Sequence, residues 1–266
     1  MRTRILTALV LAAVLIGVLL FGPAWSARAL FGLFIAAGAW EWSAFLSGAA
    51  REVRLGFVLV VALLSVAARV FLADTTGFAL LMALSVGWWS AALLWLMLVP
   101  QRANTAAVAV AGLFALVPTW VAMTRMVELW PRGAQWALFA LALAFAADTG
   151  AYFAGRAFGR VKLAPQVSPG KTWEGVFGGM VLAAIVALAG SRWFALPLHR
   201  FLPLCLTAAA FSVVGDLTES MFKRASGLKD SGRLFPGHGG VLDRIDSVLA
   251  STPVLSLGLL WLGAAA

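Results

Sequence analysis

Long apolar runs dominate this chain and restrict what it can fold into. Of its 266 residues, 62% are hydrophobic and 12% are charged, whereas ordinary soluble domains are about 45–50% apolar and about 25% charged. A soluble domain of this length cannot hide so much apolar surface from water. The chain is therefore predicted to be an all-α, polytopic integral membrane protein.

Apolar runs of spanning length recur along the whole chain. A membrane-spanning helix needs roughly 20 apolar residues, and about nine segments approach this length. The predicted spans cover residues 5–22, 29–48, 55–72, 77–99, 106–123, 134–154, 174–191, 201–221 and 247–264. We group them as an N-terminal scaffold over residues 1–130 and a C-terminal catalytic region over residues 131–266, within one integrated membrane domain.

Lysine and arginine are distributed unevenly between the two sides of the predicted spans. Cytoplasmic loops carry an excess of these residues, so the richer side indicates the cytoplasm. The richer side holds Arg2, Arg4, Arg51, Arg54, Arg102, Arg156, Arg160, Lys162, Lys171, Lys223, Arg224, Lys229, Arg233 and Arg244. The other side holds Arg28, Arg69, Arg125, Arg132, Arg192 and Arg200. The N-terminus and the two longest polar loops are therefore predicted to be cytoplasmic, and the compact form favours the inner membrane of a bacterium.

The first apolar run allows two interpretations. MRTR, an apolar run and then Ala27-Arg28-Ala29 could form a cleaved signal peptide. The apolar run is longer than the roughly 7–15 residues usual in such peptides, so we favour a retained helix.

The net charge of +9 does not indicate a nucleic-acid partner. The sequence contains no basic aromatic module, and a polytopic protein places lysine and arginine in its cytoplasmic loops and against anionic headgroups. The single cysteine, Cys205, lies in an apolar run and is predicted to pack as a small hydrophobic residue.

Acidic residues concentrate in the second half of the chain. Of eleven Asp and Glu residues, seven lie between positions 148 and 246: Asp148, Glu174, Asp216, Glu219, Asp230, Asp243 and Asp246. A charge in the middle of a spanning helix costs about 2.5–3.5 kcal/mol on insertion scales, so such residues indicate function. The first half is accordingly predicted to be apolar scaffold, and the second half to carry the chemistry.

The spacing of these acids predicts a site where two helices meet. One helix face carries Asp216, Glu219, Ser220 and Lys223 at positions i, i+3, i+4 and i+7. Asp243 and Asp246 are three residues apart where the ninth span begins. Carboxylates bracketed by Lys and Arg suit Mg²⁺ and a polyphosphate. The alternative is that these residues are helix caps and surface ion pairs.

The polar loops supply candidate ligand contacts. Pro236 to Gly240 reads PGHGG, a turn whose glycines bring backbone N–H groups close to a ligand. His238 has two open roles, a hydrogen bond to phosphate or a cap on the turn. Lys229 and Asp230 either contact a ligand or form a solvated pair, and we favour ligand contact.

SPGKTWEG, from Ser168 to Gly175, is not a P-loop. Pro165 stands where the first glycine of that motif belongs, and no βαβ pattern surrounds it. Ser168, Lys171 and Thr172 are instead predicted to donate to a phosphate or base. Elsewhere, the intramembrane Glu41 could reach the site, meet a headgroup, or pair with an arginine such as Arg51 or Arg54.

Three blocks together resemble the CDP-diacylglycerol synthases (phosphatidate cytidylyltransferases). They are DTGAYFAGRAFGR (148–160), SPGKTWEG (168–175) and GDLTESMFKRASGLKDSGRLFPGHGGVLDRIDS (215–247). The last block matches the family's long signature at every charged position. The resemblance covers residues 145–250 and implies an α-helical membrane enzyme, a homodimer, that uses CTP and phosphatidic acid to make CDP-diacylglycerol and pyrophosphate for phospholipid biosynthesis.

The resemblance also implies roles for individual residues. Asp216, Asp243 and Asp246 would hold one or two divalent ions, Mg²⁺ first, with Asp148 as a weaker ligand or a partner of the ligands. Positive charge would come from Lys223, Arg224 and Arg244. Substrate contacts are expected from Ser168, Lys171, Thr172, Arg224, Lys229, His238, Gly239 and Gly240.

Two other functions are compatible with parts of this pattern. A relative acting on another lipid, such as a CTP-dependent prenol kinase or a cytidylyltransferase for archaeal ether lipids, would share these motifs. A transporter would use Asp148, Asp216 and Glu219 as an ion or proton relay. Transporters often show related halves with broken helices, whereas here the polar residues cluster at one end.

Overall fold

Helices make up nearly all of the regular structure in the computed structural model, which describes residues 2–46, 50–72, 74–98, 104–130, 132–232 and 239–264. Nine α-helices occur in these ranges, with a 3₁₀ turn at Ser43–Phe45 after the second. They are α1 (Arg2–Phe21), α2 (Ala24–Trp42), α3 (Arg51–Phe71), α4 (Thr75–Leu98), α5 (Thr105–Leu129), α6 (Gly133–Phe158), α7 (Trp173–Phe194), α8 (Leu198–Ala225) and α9 (Leu242–Trp261).

Six helices of the described chain are long and apolar enough to cross a membrane, namely α3, α4, α5, α6, α7 and α8. The all-α membrane class is therefore confirmed, but the count of nine spans is not. Helix α9 also begins earlier than predicted, at Leu242 rather than near residue 247. Asp243 and Asp246 consequently lie inside its first turns.

Helix α9 forms the centre of the bundle. It packs against α8, α4, α5, α6 and α2, and its side chains from Asp246 to Leu257 are all buried. Two of its serine hydroxyls are satisfied within the helix, since Ser251 Oγ donates to the carbonyl of Ser247 at 2.8 Å and Ser256 Oγ to that of Thr252 at 2.7 Å. A helix that is buried along most of its length can therefore carry polar residues that find partners on neighbouring helices.

The all-α prediction missed one small feature, a two-stranded hairpin between α6 and α7. Strand β1 (Lys162–Ala164) pairs antiparallel with β2 (Ser168–Thr172). The hairpin ends where Thr172 caps α7, its side-chain oxygen accepting from the Gly175 amide at 3.2 Å. The cap satisfies one of the free N–H groups at the start of a helix.

A cluster of ion pairs lies at the end of the bundle opposite this hairpin. The carboxylate of Glu128 pairs with Arg28 Nε at 2.8 Å and with Arg69 Nη2 at 2.6 Å. These contacts connect α5 with α2 and α3, and they pair a carboxylate that is largely withdrawn from solvent.

Helices α6 and α7 pack closely against each other through glycines. An added Cβ at Gly178 would overlap the Cβ of Ala154 and approach the carbonyl oxygen of Gly150. Small residues let spanning helices pack through their backbones. This contact holds the end of α6 against the start of α7.

Substituting Gly178→Ala should lower the midpoint of thermal unfolding in detergent. Overpacking of this kind costs about 1–3 kcal/mol. The matched control is Gly87→Ala in α4, where an added Cβ meets nothing within 4 Å. An equal loss in both variants would contradict this account of the α6–α7 contact.

Candidate active site

A polar cavity of about 460 Å³ opens where the ends of α6 and α8 meet the starts of α7 and α9. The hairpin closes one side. The charged residues lining it are Asp148, Arg156, Lys171, Asp216, Asp243, Arg244 and Asp246. The four carboxylates predicted as metal ligands thus come together around one space.

A buried ion cluster joins α8 to α9 beside this cavity. Lys223 Nζ lies 2.7 Å from Asp243 Oδ1 and 3.1 Å from Glu219 Oε1. Glu219 is only 2% exposed. The predicted meeting of the two carboxylate pairs is confirmed, and Lys223 is the cation between them.

Asp243 also holds the loop that precedes α9. Its Oδ2 accepts from the backbone N–H groups of Ser231, at 3.1 Å, and Gly240, at 2.9 Å. Burial acts to raise the pKa of Asp243, but the hydrogen bonds from Lys223 and Gly240 and the positive charge of Lys223 outweigh it. The pKa therefore lies below its ordinary value, and the side chain is a carboxylate at neutral pH.

Asp216 lies between a cation and a hydroxyl at the cavity wall. Its Oδ2 is 2.5 Å from Lys171 Nζ, and Ser220 Oγ donates weakly to its Oδ1 at 3.4 Å. Lys171 comes from the hairpin and Asp216 from α8, so this pair connects the SPGKT segment to the acidic site.

Asp148 and Asp246 approach each other through Ser247. The Ser247 hydroxyl donates to Asp148 Oδ2 at 2.7 Å and lies 3.3 Å from Asp246 Oδ1. Burial, together with the negative charges of Asp216, Glu219 and Asp148, raises the pKa of Asp246 well above its ordinary value. A cation placed among these carboxyl groups would relieve their mutual repulsion.

The donor chemistry of the cavity fits a divalent cation. Asp148, Asp216 and Asp246 supply hard oxygen ligands of the kind that Mg²⁺ prefers. Across the described ranges, no three Asp, Glu, His or Cys side chains converge on one point as a preformed metal site. Asp243 differs from the other three because it accepts from the backbone N–H groups of Ser231 and Gly240 as well as from Lys223.

An apolar cavity of about 530 Å³ adjoins the polar one. Its walls come from α1, α2, α5, α6 and α9, with Leu11, Phe31, Ile35, Met123 and Phe145 among the lining residues. Asp148, Asp243, Arg244 and Asp246 line both cavities. One set of charged residues therefore separates a polar compartment from an apolar one.

Several predicted substrate contacts lie away from both cavities. Ser168 is half-buried on β2, and Lys229 is exposed in the loop after α8. Arg224 Nε lies 3.5 Å from the carbonyl of Val167. Thr172 lines the polar cavity and also caps α7, while Gly239 and Gly240 adjoin Asp243. His238 lies outside the described residues.

Sequence reasoning assigned no role to four residues of this region. Tyr152 and Arg156 line the polar cavity, and Arg156 Nη1 lies 3.1 Å from the Tyr152 hydroxyl. Ser247 and Ser231 connect the carboxylates. The position of Ser247 next to Asp246 was a signal for it, but nothing local in the sequence marks Ser231.

Comparison with known proteins finds similarity along nearly the whole chain. The model of a family described as the cytidylyltransferase family matches residues 2–261. The phosphatidate cytidylyltransferase of Pseudomonas aeruginosa is 42% identical over 277 residues, which cover 98% of this chain and 97% of that protein. The protein of the same name from Haemophilus influenzae is 40% identical over 288 residues, with 96% and 97% coverage.

Replacing Lys223 with methionine should destabilise the protein strongly. It leaves Glu219 and Asp243 without their shared cation, and removing one partner of a buried ion pair costs about 3–5 kcal/mol. We expect a lower midpoint of thermal unfolding in detergent, part of which the added change Glu219→Gln restores.

The matched control is Lys229→Met, which removes an exposed lysine from the following loop. Its midpoint should stay close to that of the wild type. Equal midpoints for Lys223→Met and Lys229→Met would contradict the buried cluster.

Proposed function

The chain belongs to the cytidylyltransferase family, and from this premise we propose that it is a phosphatidate cytidylyltransferase, which condenses CTP with phosphatidic acid. The products are CDP-diacylglycerol and pyrophosphate. The observation that supports this function best is the pair of cavities that share Asp148, Asp243, Arg244 and Asp246. A lipid phosphate and a nucleotide need such a boundary, because one substrate is apolar over most of its length and the other is a polyanion.

The reaction is a transfer at phosphorus. A phosphate oxygen of phosphatidic acid forms a bond to the α-phosphorus of CTP, and the bond from that phosphorus to the bridging oxygen of the leaving pyrophosphate breaks. The attacking phosphate is anionic at neutral pH, so no strong base is required. The main obstacles are repulsion between two anions and charge growth on pyrophosphate, which positioning and electrostatics can offset.

The cations of the polar cavity are suited to this task. Lys171 and Arg244 both line it, and they would bind phosphate oxygens and stabilise the developing negative charge. Lys223 acts differently from Lys171 and Arg244, since it is the shared ion-pair partner of Glu219 and Asp243 and so stabilises the α8–α9 crossing.

We further propose that the enzyme depends on Mg²⁺. Asp148, Asp216 and Asp246 are the side chains that would hold it, and Asp243 would join them if its bond to Lys223 were exchanged. A bound divalent ion would neutralise phosphate charge and orient the two substrates. These carboxylates would thereby help to hold the lipid phosphate and the nucleotide at the charged residues that the two cavities share.

The apolar cavity is the proposed site of the acyl chains. Its lining side chains match hydrocarbon, and it reaches the charged wall that would hold the lipid phosphate. Lipid would enter sideways between helices, while CTP would arrive at the polar cavity from the cytoplasm. The excess of Lys and Arg at this end of the helices supports a cytoplasmic orientation, with the protein in a bacterial inner membrane. A homodimer is proposed from the family resemblance alone.

The transfer reaction can be tested directly with purified protein. Purified protein with CTP, phosphatidic acid and Mg²⁺ should release CDP-diacylglycerol and pyrophosphate in equal amounts, and chelation of the metal should stop both. Asp246→Asn should lower kcat by about 10²-fold or more, as expected when electrostatic stabilisation of a transition state is lost.

Glu52→Gln, an exposed change in α3, is the control and should leave turnover unchanged. Wild-type turnover by folded Asp246→Asn would refute the role of this carboxylate. If a prenol or an ether-lipid phosphate were the only acceptor used, the substrate assignment would be wrong.

The proposed role of the apolar cavity as the site of the acyl chains can be tested with a bulky substitution. Ala12 lines it, whereas the neighbouring Ala13, which is exposed to a similar degree, does not. Ala12→Trp should fill space needed by the acyl chains and raise the KM for dioleoyl phosphatidic acid about tenfold, which corresponds to about 1.4 kcal/mol. The KM for dihexanoyl phosphatidic acid and for CTP should change little.

Ala13→Trp adds the same bulk on another face of α1 and should leave all three KM values near those of the wild type. Equal effects of the two tryptophans, or equal effects on long and short lipids, would contradict the assignment of this cavity.

A further inference from the structure

Glu41 is a buried acid from the first half of the chain that reaches the loop before α9. It lies near the end of α2 and is 5% exposed. Its Oε1 accepts from the Val241 amide at 3.1 Å, and its Oε2 accepts from the Leu242 amide at 2.8 Å. Glu41 is not among the lining residues of either cavity, and its contacts lie at the start of α9, beside Asp243. Arg54 instead bonds Ser43 and the Trp40 carbonyl.

These contacts make Glu41 an N-terminal cap for α9, supplied from 200 residues away in sequence. Among the described residues, no Lys or Arg forms an ion pair with it. Its charge is instead stabilised by two backbone N–H groups and the positive end of the helix dipole. The central helix therefore begins at a position set by α2.

Ser231 extends this cap to Asp243. Its hydroxyl lies 3.0 Å from Glu41 Oε2 and 2.9 Å from Asp243 Oδ2. One hydroxyl has a single proton to donate, so the two carboxylates share it. Glu41 and Asp243 therefore act on the same residue of the loop, and Asp243 in turn binds Lys223.

Backbone approaches the Glu41 carboxylate closely from two sides. An added Cβ at Gly232 or at Gly240 would overlap this carboxylate. Both loop ends are glycines here, which permits the approach. The carboxylate thus contacts the residues on both sides of the segment 233–238.

The end of α2 is itself a rigid support. Trp42, which follows Glu41, is 1% exposed and donates its indole N–H to the Val108 carbonyl at 2.8 Å. Its ring packs edge-on against Phe222, with 5.5 Å between ring centroids. Helices α2, α5 and α8 are therefore fixed together directly beneath the cap.

We propose that Glu41 is a positioning residue for the transfer reaction: it fixes the start of α9 and the Ser231 loop, and so places Asp243 and Asp246 at the boundary of the two cavities. This inference rests on the proposed function. Because Glu41 belongs to α2, the inference gives the N-terminal half a part in catalysis. A displacement of about 1 Å in a catalytic group can lower the rate by about 10²-fold, so the position of Asp243 and Asp246 matters.

The test is Glu41→Gln in the full-length protein, with Glu128→Gln as the matched control. Glutamine keeps one acceptor oxygen but turns an NH₂ group toward a backbone N–H, so the cap loses one bond and gains a repulsion. Glu128→Gln makes the same change at another largely buried carboxylate, at the opposite end of the bundle. Measurements are thermal midpoint, kcat, the KM values for CTP and phosphatidic acid, and amide hydrogen exchange of residues 239–246.

We expect Glu41→Gln to lower kcat at least tenfold, with both KM values within about threefold of wild type, because Glu41 is not among the lining residues of either cavity. Amide exchange at Val241 and Leu242 should accelerate. Glu128→Gln should lower the thermal midpoint but leave kcat and this exchange unchanged. Ser231→Ala should also lower kcat, and the double variant with Glu41→Gln should lose less than the product of the two single effects.

The outcomes separate this inference from the proposed function. Unchanged kcat in folded Glu41→Gln, or the same kcat loss in Glu128→Gln, would overturn the positioning role. If Glu41→Gln does not fold, Ser231→Ala decides, and wild-type kcat there would overturn it. A wild-type protein without transferase activity would refute the proposed function. In that case, faster amide exchange at Val241 and Leu242 in Glu41→Gln, but not in Glu128→Gln, would still support the capping of α9 by Glu41.

Discussion

The buried contact of Lys223 with Glu219 and Asp243 is the interaction on which the site depends. A lone charge withdrawn from water in a membrane protein is costly, so each of these three groups requires the others. Because Glu219 and Lys223 lie on α8 and Asp243 on α9, the need to pair them sets how these helices cross. That crossing brings Asp216 and Asp246 to one cavity.

From this crossing the site extends in two directions. Toward the hairpin lies a polar space with Lys171 and Arg156, and on the other side lies an apolar space formed largely by helices of the first half. The chain belongs to the cytidylyltransferase family, and the phosphatidate cytidylyltransferases of Pseudomonas aeruginosa and Haemophilus influenzae match it almost end to end. Where the two spaces meet, the phosphate of an apolar lipid and the phosphates of a polar nucleotide can lie next to each other.

The N-terminal half does more than surround the site with apolar helices. Glu41 caps α9, and Phe31 and Ile35 from the same helix line the apolar cavity. The division into a scaffold and a catalytic region follows the distribution of charged residues along the sequence. It does not describe which helices contact the site. The contacts of α2 connect the two regions at the place where the chemistry is proposed.

The sequence by itself determined the all-α membrane class, the family and the set of acidic residues, because apolar length, helical spacing and the long signature are local properties. Spacing of three and four residues was enough to predict that Asp216 and Glu219 share a helix face. The partner of Glu41, the bridging position of Ser231 and the position of Arg224 against Val167 were decided only by the tertiary structure. Each depends on a contact between segments distant in sequence, and such a contact forms only when the helices pack and their buried charges find partners.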